Sequence, residues 1–348
     1  MANLDNGNDS YLNTSKNTND HLQLKITKWI LYAAIFCVSS VGNTLVCIIV
    51  LKKKRMKTVT NYFILNLAVA DLTLTLICIP FDIPVQEMGH VWPYGAFMCK
   101  ILYPLQTMCL CASVFTLTAV SVTRYWAITH PFRNQLTTKQ AKWIISCIWL
   151  LSIIPVSPYM YVLNLERGEC QETSWKRDQH RKGYTLALFI MEYIIPLSVI
   201  AVSYILIGYE LNKHSNPDHQ HIKTSQSDET AKVVRMLIVV TTVFAVCVLP
   251  NNVMWLWLDF GTGGDFVYFW EVVAFCNVLT FSNSAANPIC YTIFNEHYRK
   301  EFKNYFRHLC GQHSGSASDS IGGETWQLSA FSESKRSRST HCILLQRH

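Results

Sequence analysis

The stretch Leu65–Asp71, LNLAVAD, lies in the middle of an apolar segment that runs from about residue 61 to 86. A carboxylate at membrane depth is costly unless it faces a packed or watery interior. Three other apolar segments contain a polar or basic residue in the same setting, namely Asn43, Arg124 and Asn287. We therefore treat Asp71 and these three residues as functional candidates.

Seven segments of the chain are long and apolar enough to cross a membrane, which takes roughly 20 residues in a helix. They lie at about 28–51, 61–86, 97–128, 141–162, 184–210, 231–258 and 267–293. Because a lipid-facing open sheet leaves backbone groups without hydrogen bonds, these segments are predicted to be helices. The sequence thus predicts an all-α membrane protein with a seven-transmembrane helix bundle over 28–294.

The distribution of charge predicts the orientation in the membrane. The loop Lys52–Lys57 and the segment Arg299–Arg307 are rich in basic residues, which the positive-inside rule places in the cytoplasm. The tail 1–27 is polar, lacks the pattern of a cleavable signal peptide and is predicted to be extracellular. Asn-x-Ser sequons at Asn8 and Asn13 agree with this orientation and are candidate glycosylation sites.

Net charge and cysteine content narrow the class of protein further. The formal charge is +7, but the basic residues sit mainly on the cytoplasmic side, where anionic membrane lipid attracts them. This placement argues against a nucleic-acid partner. Most of the 13 cysteines fall inside apolar segments, where a free thiol is a small hydrophobe. Cys99 and Cys170 lie at outer ends or loops, and an oxidising exterior permits a bond between them.

The residues after the seventh segment predict a short eighth helix over 295–310. One helical face is aromatic and the opposite face is charged, which favours a helix lying on the inner leaflet. The aromatic face comprises Phe294, Tyr298, Phe302, Tyr305 and Phe306. Cys310 is either palmitoylated or a free thiol. The tail 311–348 is predicted to be disordered and cytoplasmic, and its serines are either phosphorylated or a solvated linker.

A family resemblance rests on motifs that appear in order, one set per segment. They are Gly42-Asn43, Leu65–Asp71, Cys99, Arg124-Tyr125, Trp149, Pro196, Tyr204, Pro250 and Asn287-Pro288 with Tyr291. The pattern resembles rhodopsin-like G-protein-coupled receptors over roughly residues 28–310. The resemblance implies a multi-pass plasma-membrane receptor, not an enzyme, with a heterotrimeric G protein as partner. It also implies arrestin and receptor kinases as partners of the serine-rich tail.

The resemblance assigns roles to side chains in the bundle. A polar set resembles the pocket that holds an allosteric sodium ion, and hard oxygen ligands around a buried carboxylate suit such an ion. The set comprises Asp71, Ser113, Asn283, Ser284 and Asn287. A hydrogen-bonded network without an ion is the alternative, and no other cofactor is implied. Cys99 and Cys170 resemble the disulfide that ties the second outer loop to the third segment.

Other matched positions resemble the activation machinery of the family. Phe244 resembles a core residue that repacks, and Pro250 the kink on which the sixth segment swings outward. Arg124, Tyr204 and Tyr291 are expected beside the inner cleft that receives the G protein. Phe132, in the second inner loop, is expected to insert against that G protein.

Three positions depart from the family pattern. Thr123 stands where an acid usually precedes the Arg124-Tyr125 pair, and Thr230 stands where many relatives carry a second acid. The sequence therefore predicts a loosely held arginine. In the stretch Cys247–Pro250 of the sixth apolar segment, Val248 stands where the family usually carries a tryptophan.

The ligand class narrows by exclusion. Phe281 stands where an opsin needs a Schiff-base lysine, and Gln106 stands where an amine receptor needs a carboxylate. The neighbouring motifs resemble neuropeptide FF (RFamide) receptors, with orexin and neuropeptide Y receptors close behind. The resemblance implies that the peptide's amide reaches Gln106 while its arginine pairs with Asp259. A solvated helix-end aspartate is the alternative for Asp259, and Trp255 and Asn277 are expected pocket walls.

Three rival classes remain beside an RFamide-type receptor. One is another peptide receptor of the orexin or neuropeptide Y type. The second is a receptor that no longer signals, which the departures at Thr123 and Val248 suggest. The third is a transporter or channel, which predicts internal repeats around a midplane site, and the sequence shows no such repeat.

Overall fold

The computed structural model describes residues 6–213 and 225–309, with side chains over 22–212 and 231–307. Within these ranges the chain is helical apart from its loops and one hairpin. The helices are α1 Asn6–Lys52, α2 Val59–Thr73, α3 Ile79–Glu87, α4 Gly95–Thr129, α5 Thr138–Val162, α6 Asp178–Phe189, α7 Ile195–Lys213, α8 Ser225–Phe260, α9 Phe269–Phe294 and α10 Glu296–Leu309. The hairpin pairs β1 Leu163–Glu166 with β2 Glu169–Glu172 in antiparallel register. The described residues up to Phe306 form one compact unit.

The predicted bundle of membrane-spanning helices is confirmed. Among the described residues, six helices are long and apolar enough to cross a membrane. These are span 1 Leu22–Lys52, span 2 Val59–Glu87, span 3 Gly95–Thr129, span 4 Thr138–Val162, span 5 Asp178–Asn212 and span 6 Ala231–Phe260. Span 7 is α9, whose buried inner face carries the polar residues Asn283, Ser284 and Asn287.

The helix of span 1 begins earlier than the sequence predicts. It starts at Asn6 rather than near residue 28, because each residue added to an existing helix gains a backbone hydrogen bond without a new nucleation cost. The side chains of Asn8 and Asn13 lie outside the described residues, and the extracellular placement of 1–27 stays a prediction.

Two π-helical turns interrupt spans 2 and 5, and each ends two residues before a proline. The turns are Leu74–Cys78 before Pro80 and Ile190–Ile194 before Pro196. Proline lacks a backbone N–H, and its ring clashes with the carbonyl group four residues earlier. A wider turn accommodates that carbonyl without ending the helix.

Spans 1 and 7 approach each other closely at Gly42. A Cβ atom added at Gly42 would lie 2.5 Å from Cγ of Pro288. One residue further, Asn43 Nδ2 donates to the Ser284 carbonyl oxygen at 3.0 Å. The absence of a side chain at Gly42 therefore brings the two backbones near enough for a polar contact between the spans.

A second polar contact joins spans 2, 3 and 4. Asn66 Nδ2 donates to the Thr116 hydroxyl at 2.8 Å, and Trp149 Nε1 donates to Asn66 Oδ1 at 2.8 Å. Both polar ends of the Asn66 amide are therefore satisfied inside the bundle, as burial requires.

The hairpin is fixed to the outer end of span 3 by a disulfide between Cys99 and Cys170, with 5.6 Å between the Cα atoms. Its two-residue turn places Arg167 and Gly168 at φ 53° and 84°. Positive φ at both positions is typical of the tight turns whose twist matches antiparallel strands. The predicted disulfide is confirmed.

The predicted eighth helix is present as α10, with two corrections. Tyr298 and Phe302, predicted on a face that meets the inner leaflet, are instead buried against the core of the bundle. Glu301, predicted on the charged outer face, is only 4% exposed. It forms ion pairs with Lys53 Nζ and Arg55 Nη2, each at 3.0 Å, because the basic loop after span 1 lies beside the helix. Cys310 and the tail 311–348 lie outside the described residues.

Replacing Gly42 by alanine tests the close approach of spans 1 and 7. The added methyl group meets Pro288, and overpacking of this kind costs about 1–3 kcal/mol. We expect Gly42→Ala to lower the unfolding temperature of the purified protein and its surface expression. Gly208→Ala is the matched control, since nothing lies within 4 Å of a Cβ atom there. Equal stability of the two variants would contradict the contact.

Candidate functional site

An outer cavity of about 620 Å³ lies at the hairpin end of the bundle, enclosed by helices and by β2. Its lining includes Asp82, Gln86, Tyr103, Tyr159, Glu172, Arg181, Trp255, Leu258, Trp270 and Asn277. The two predicted pocket walls, Trp255 and Asn277, are thus brought together. Gln106 is half-buried and lies one helical turn below Tyr103, outside the cavity lining.

Asp259 is buried at the outer end of span 6, not a solvated helix-end residue. Its carboxylate is 6% exposed and lies 3.2 Å from Arg181 Nη2, and it accepts a hydrogen bond from the Thr185 hydroxyl. Arg181 also contacts Asp178 at 3.1 Å. The Arg181–Asp259 pair was not predictable from the sequence, because its members come from different helices.

Asp82 is an acid of the outer cavity that the sequence reading missed. It is 5% exposed, and its Oδ2 atom accepts a hydrogen bond from Gln86 Nε2 at 2.6 Å. Gln86 Nε2 also donates to the Tyr32 hydroxyl oxygen at 3.2 Å. A signal was present, since Asp82 stands about three helical turns from Asp71 on the same apolar segment.

Glu172 adds a further acid to the cavity from the hairpin. Burial raises the pKa of this carboxyl group above its ordinary value. A hydrogen bond from Trp175 Nε1, at 2.7 Å, and the charge of Arg181 partly offset that rise. The charged residues that line the cavity thus include three acids, Asp82, Glu169 and Glu172, together with Arg181.

Span 5 carries another buried acid that sequence reasoning missed. Glu192 is buried within the π turn before Pro196, and its Oε1 atom accepts a hydrogen bond from the Cys111 thiol at 3.0 Å. A carboxylate in an apolar segment is the same signal that singled out Asp71.

The predicted polar set lies in the centre of the bundle. All of its side chains are buried, and Asn287 Nδ2 donates to Asp71 Oδ2 at 2.8 Å. The Ser284 hydroxyl lies close enough to the Asp71 carboxylate to interact with it. Among the described residues, an oxygen atom of each of the other three members has no hydrogen-bond partner, namely Ser113 Oγ, Asn283 Oδ1 and Asn287 Oδ1. Buried oxygen atoms without donors are the chemistry that a hard cation requires.

The inner end of span 3 holds Arg124 without an acid beside it in sequence. A guanidinium nitrogen donates to the Thr60 hydroxyl of span 2, and no described ion pair includes Arg124. The Thr123 hydroxyl instead donates to the Val120 carbonyl of its own helix at 3.0 Å. The side chain of Thr230 lies outside the described residues.

The remaining predicted inner residues occupy different environments. Phe244 is fully buried in the core cluster that also contains Val248. Tyr291 is buried, with its ring centroid 5.7 Å from that of Tyr298, and Tyr204 packs against the same cluster. Phe132 is fully exposed, at 102% of its reference area. Its apolar ring is therefore free to meet a partner.

Comparison with known proteins gives one family and a consistent group of relatives. The family described as "7 transmembrane receptor (rhodopsin family)" matches residues 42–291. Neuropeptide FF receptor 1 of Rattus norvegicus is 38% identical over 80% of this chain and 70% of its own length. Galanin receptor type 1 of Mus musculus is 33% identical, covering 81% and 82%. The RYamide receptor of Tribolium castaneum is 30% identical, covering 78% of each.

Proposed function

Because this chain belongs to the rhodopsin family of seven-transmembrane receptors, we propose that an extracellular amidated neuropeptide activates it and that it signals through a heterotrimeric G protein. Family membership makes it a receptor rather than an enzyme, and its helices make it a multi-pass protein of the plasma membrane. We place the N-terminus outside the cell, as the charge distribution favours.

The outer cavity is the observation that carries this function. It is large enough for the end of a peptide, it has aromatic walls, and its polar lining is acidic. Relatives named for neuropeptide FF and RYamide support an RFamide-like ligand. Trp255 and Asn277 wall the cavity, and the peptide's terminal amide would have to pass Tyr103 to reach Gln106.

The contact between a ligand arginine and Asp259 stays a prediction, and it carries a condition. Arg181 already pairs with Asp259 at 3.2 Å. A ligand guanidinium therefore reaches that carboxylate only by displacing Arg181.

The inner face supports coupling to a G protein. Binding of ligand would favour the state in which span 6 swings outward on Pro250 and Phe244 repacks. That motion opens a cleft beside Arg124, Tyr204 and Tyr291, while the exposed Phe132 ring contacts the G protein. Arrestin and receptor kinases are proposed partners of the tail 311–348, and membrane lipid of α10.

Ligand-induced G-protein dissociation in a heterologous cell tests the proposal. A library of amidated neuropeptides should contain members that dissociate the G protein, while their free-acid forms act weakly, because the carboxylate is repelled by the acids of the cavity. Phe132→Ala should reduce the response at equal surface expression. If no amidated peptide acts while the receptor reaches the surface, the peptide function is wrong.

We further propose that the central polar set holds a sodium ion, since its unpaired oxygen atoms fit a hard cation. Asp71 would supply the negative charge, and the hydroxyl and amide oxygen atoms would complete the ligand set. A cation held by these residues would offset the cost of burying that carboxylate. Its loss on activation would make the inactive state the one that binds it better.

Sodium is therefore expected to weaken agonist binding by shifting the population of states. Asp71→Asn should abolish this dependence, and Ser113→Ala should reduce it. Ser152→Ala is the matched control, because that buried hydroxyl bonds only within its own helix, to the Ile148 carbonyl at 2.8 Å. Choline chloride keeps the ionic strength constant. Sodium sensitivity that survives Asp71→Asn would place the ion elsewhere.

The environment of Arg124 predicts that the receptor signals in the absence of agonist, because the described partner of the guanidinium is a neutral hydroxyl rather than an acid. An acid at position 123 would restrain the arginine in the inactive state by about 1 kcal/mol, since the pair is only partly buried. That energy shifts a two-state equilibrium several-fold. We expect Thr123→Asp to lower both basal signalling and agonist affinity, while Thr123→Asn leaves them unchanged. Basal signalling equal to that of mock-transfected cells would contradict this account.

A further inference from the structure

Asp82 and Asp259 are the buried acids at the outer ends of spans 2 and 6, and they differ in whether a cationic side chain of the protein already pairs with them. Asp259 contacts Arg181 at 3.2 Å. Asp82 lines the outer cavity and forms no ion pair within the part of the chain that the structure describes. Its one described hydrogen bond comes from the neutral amide of Gln86, at 2.6 Å.

The nearby basic residues are committed to another acid. Lys28 lies within electrostatic reach of Asp82, but its Nζ atom is 2.6 Å from Glu87 Oε1. Lys25 also approaches Glu87, at 3.5 Å. Asp82 is thus a carboxylate that is 5% exposed and has one neutral partner. Burying such a charge is costly until a cation pairs with it.

The wall around Asp82 suits a cationic group. Tyr103, Trp255 and Trp270 line the same cavity, and aromatic faces attract guanidinium and ammonium groups. We propose that Asp82 is the carboxylate that receives the cationic group of the ligand, a guanidinium or an ammonium. This inference deepens the proposed peptide function and rests on it.

Pairing at Asp82 gains more than pairing at Asp259. A ligand guanidinium that displaces Arg181 exchanges one charge pair for another and leaves Arg181 without its buried partner. A guanidinium at Asp82 creates a pair where none is described and displaces no ion pair. The Arg181–Asp259 pair instead holds the outer ends of spans 5 and 6 together, and of its two members only Arg181 is among the described residues that line the cavity.

The test uses the full-length receptor in lipid nanodiscs and two dipeptide probes with blocked N-termini, N-acetyl-Arg-Phe-amide and its neutral counterpart, N-acetyl-citrulline-Phe-amide. Wild-type receptor is expected to prefer the arginine form by about tenfold to a hundredfold, the scale of a hydrogen bond to a charged group. Asp82→Asn should remove this preference, and Asp82→Glu should restore part of it. Asp265→Asn is the matched control and should keep it, because Asp265 is an exposed outer acid that does not line the cavity. Asp259→Asn tests the alternative carboxylate.

Three results of this experiment would overturn the inference while the peptide function stands. One is an arginine preference that persists in Asp82→Asn. Another is a preference that is lost in Asp259→Asn alone. The third is a loss of binding in Asp82→Asn that is seen with the amide probe but not with its methyl ester. Asp82 would then bind the amide group of the probe and not its cation.

Phenylguanidine, a small cation without peptide groups, separates this inference from the peptide function. It should raise the unfolding temperature of the wild-type receptor and not that of Asp82→Asn, because a ligand that binds only the folded state stabilises it. If phenylguanidine acts this way while neither dipeptide binds, the cation site is supported and the peptide class is wrong. If no probe binds the wild-type receptor, both proposals are wrong.

Discussion

A polar group at membrane depth must find its partner inside the bundle, because lipid offers none. This constraint organises the contacts among spans 1, 2 and 7. Asn43 reaches the Ser284 carbonyl at 3.0 Å, and Asn287 reaches Asp71 at 2.8 Å. The close approach at Gly42 makes the first of these contacts possible. Oxygen atoms that remain without donors identify the place where a cation is expected.

The same constraint separates structural charges from functional ones. Glu301 and Asp259 are buried but paired, with Lys53 and Arg181 respectively, so each holds two parts of the chain together. Among the described residues, the hydrogen-bond partners of Asp82 and Arg124 are neutral. These two side chains stand at opposite ends of the bundle, one in the outer cavity and one at the inner face. A ligand and a G protein are the partners that would complete them.

The fold was predictable because apolar length is a local property of the sequence. The polar set was predictable only through the family resemblance, because its members come from three different spans. Apolar length predicts the spans, and the motifs around Asp71 and Asn287 predict the polar set. The pairing of Arg181 with Asp259 and the burial of Glu301 were not predictable, because each joins residues that only the tertiary structure brings together. Asp82 and Glu192 were recognisable as acids within apolar segments, but neither belongs to the motifs that carry the family resemblance.

The central claim is that the charge state of the polar interior governs the arrangement of the helices. It is tested most directly by the distance between spin labels at Lys139 and Arg235, which are exposed near the inner ends of spans 4 and 6. The exposed cysteines Cys37 and Cys147, and the tail cysteines Cys310 and Cys342, are first replaced by serine. Replacing sodium with choline at constant ionic strength should shift the distance distribution towards longer values, and Asp71→Asn should remove the response. A distribution that is identical in sodium and in choline would contradict the claim.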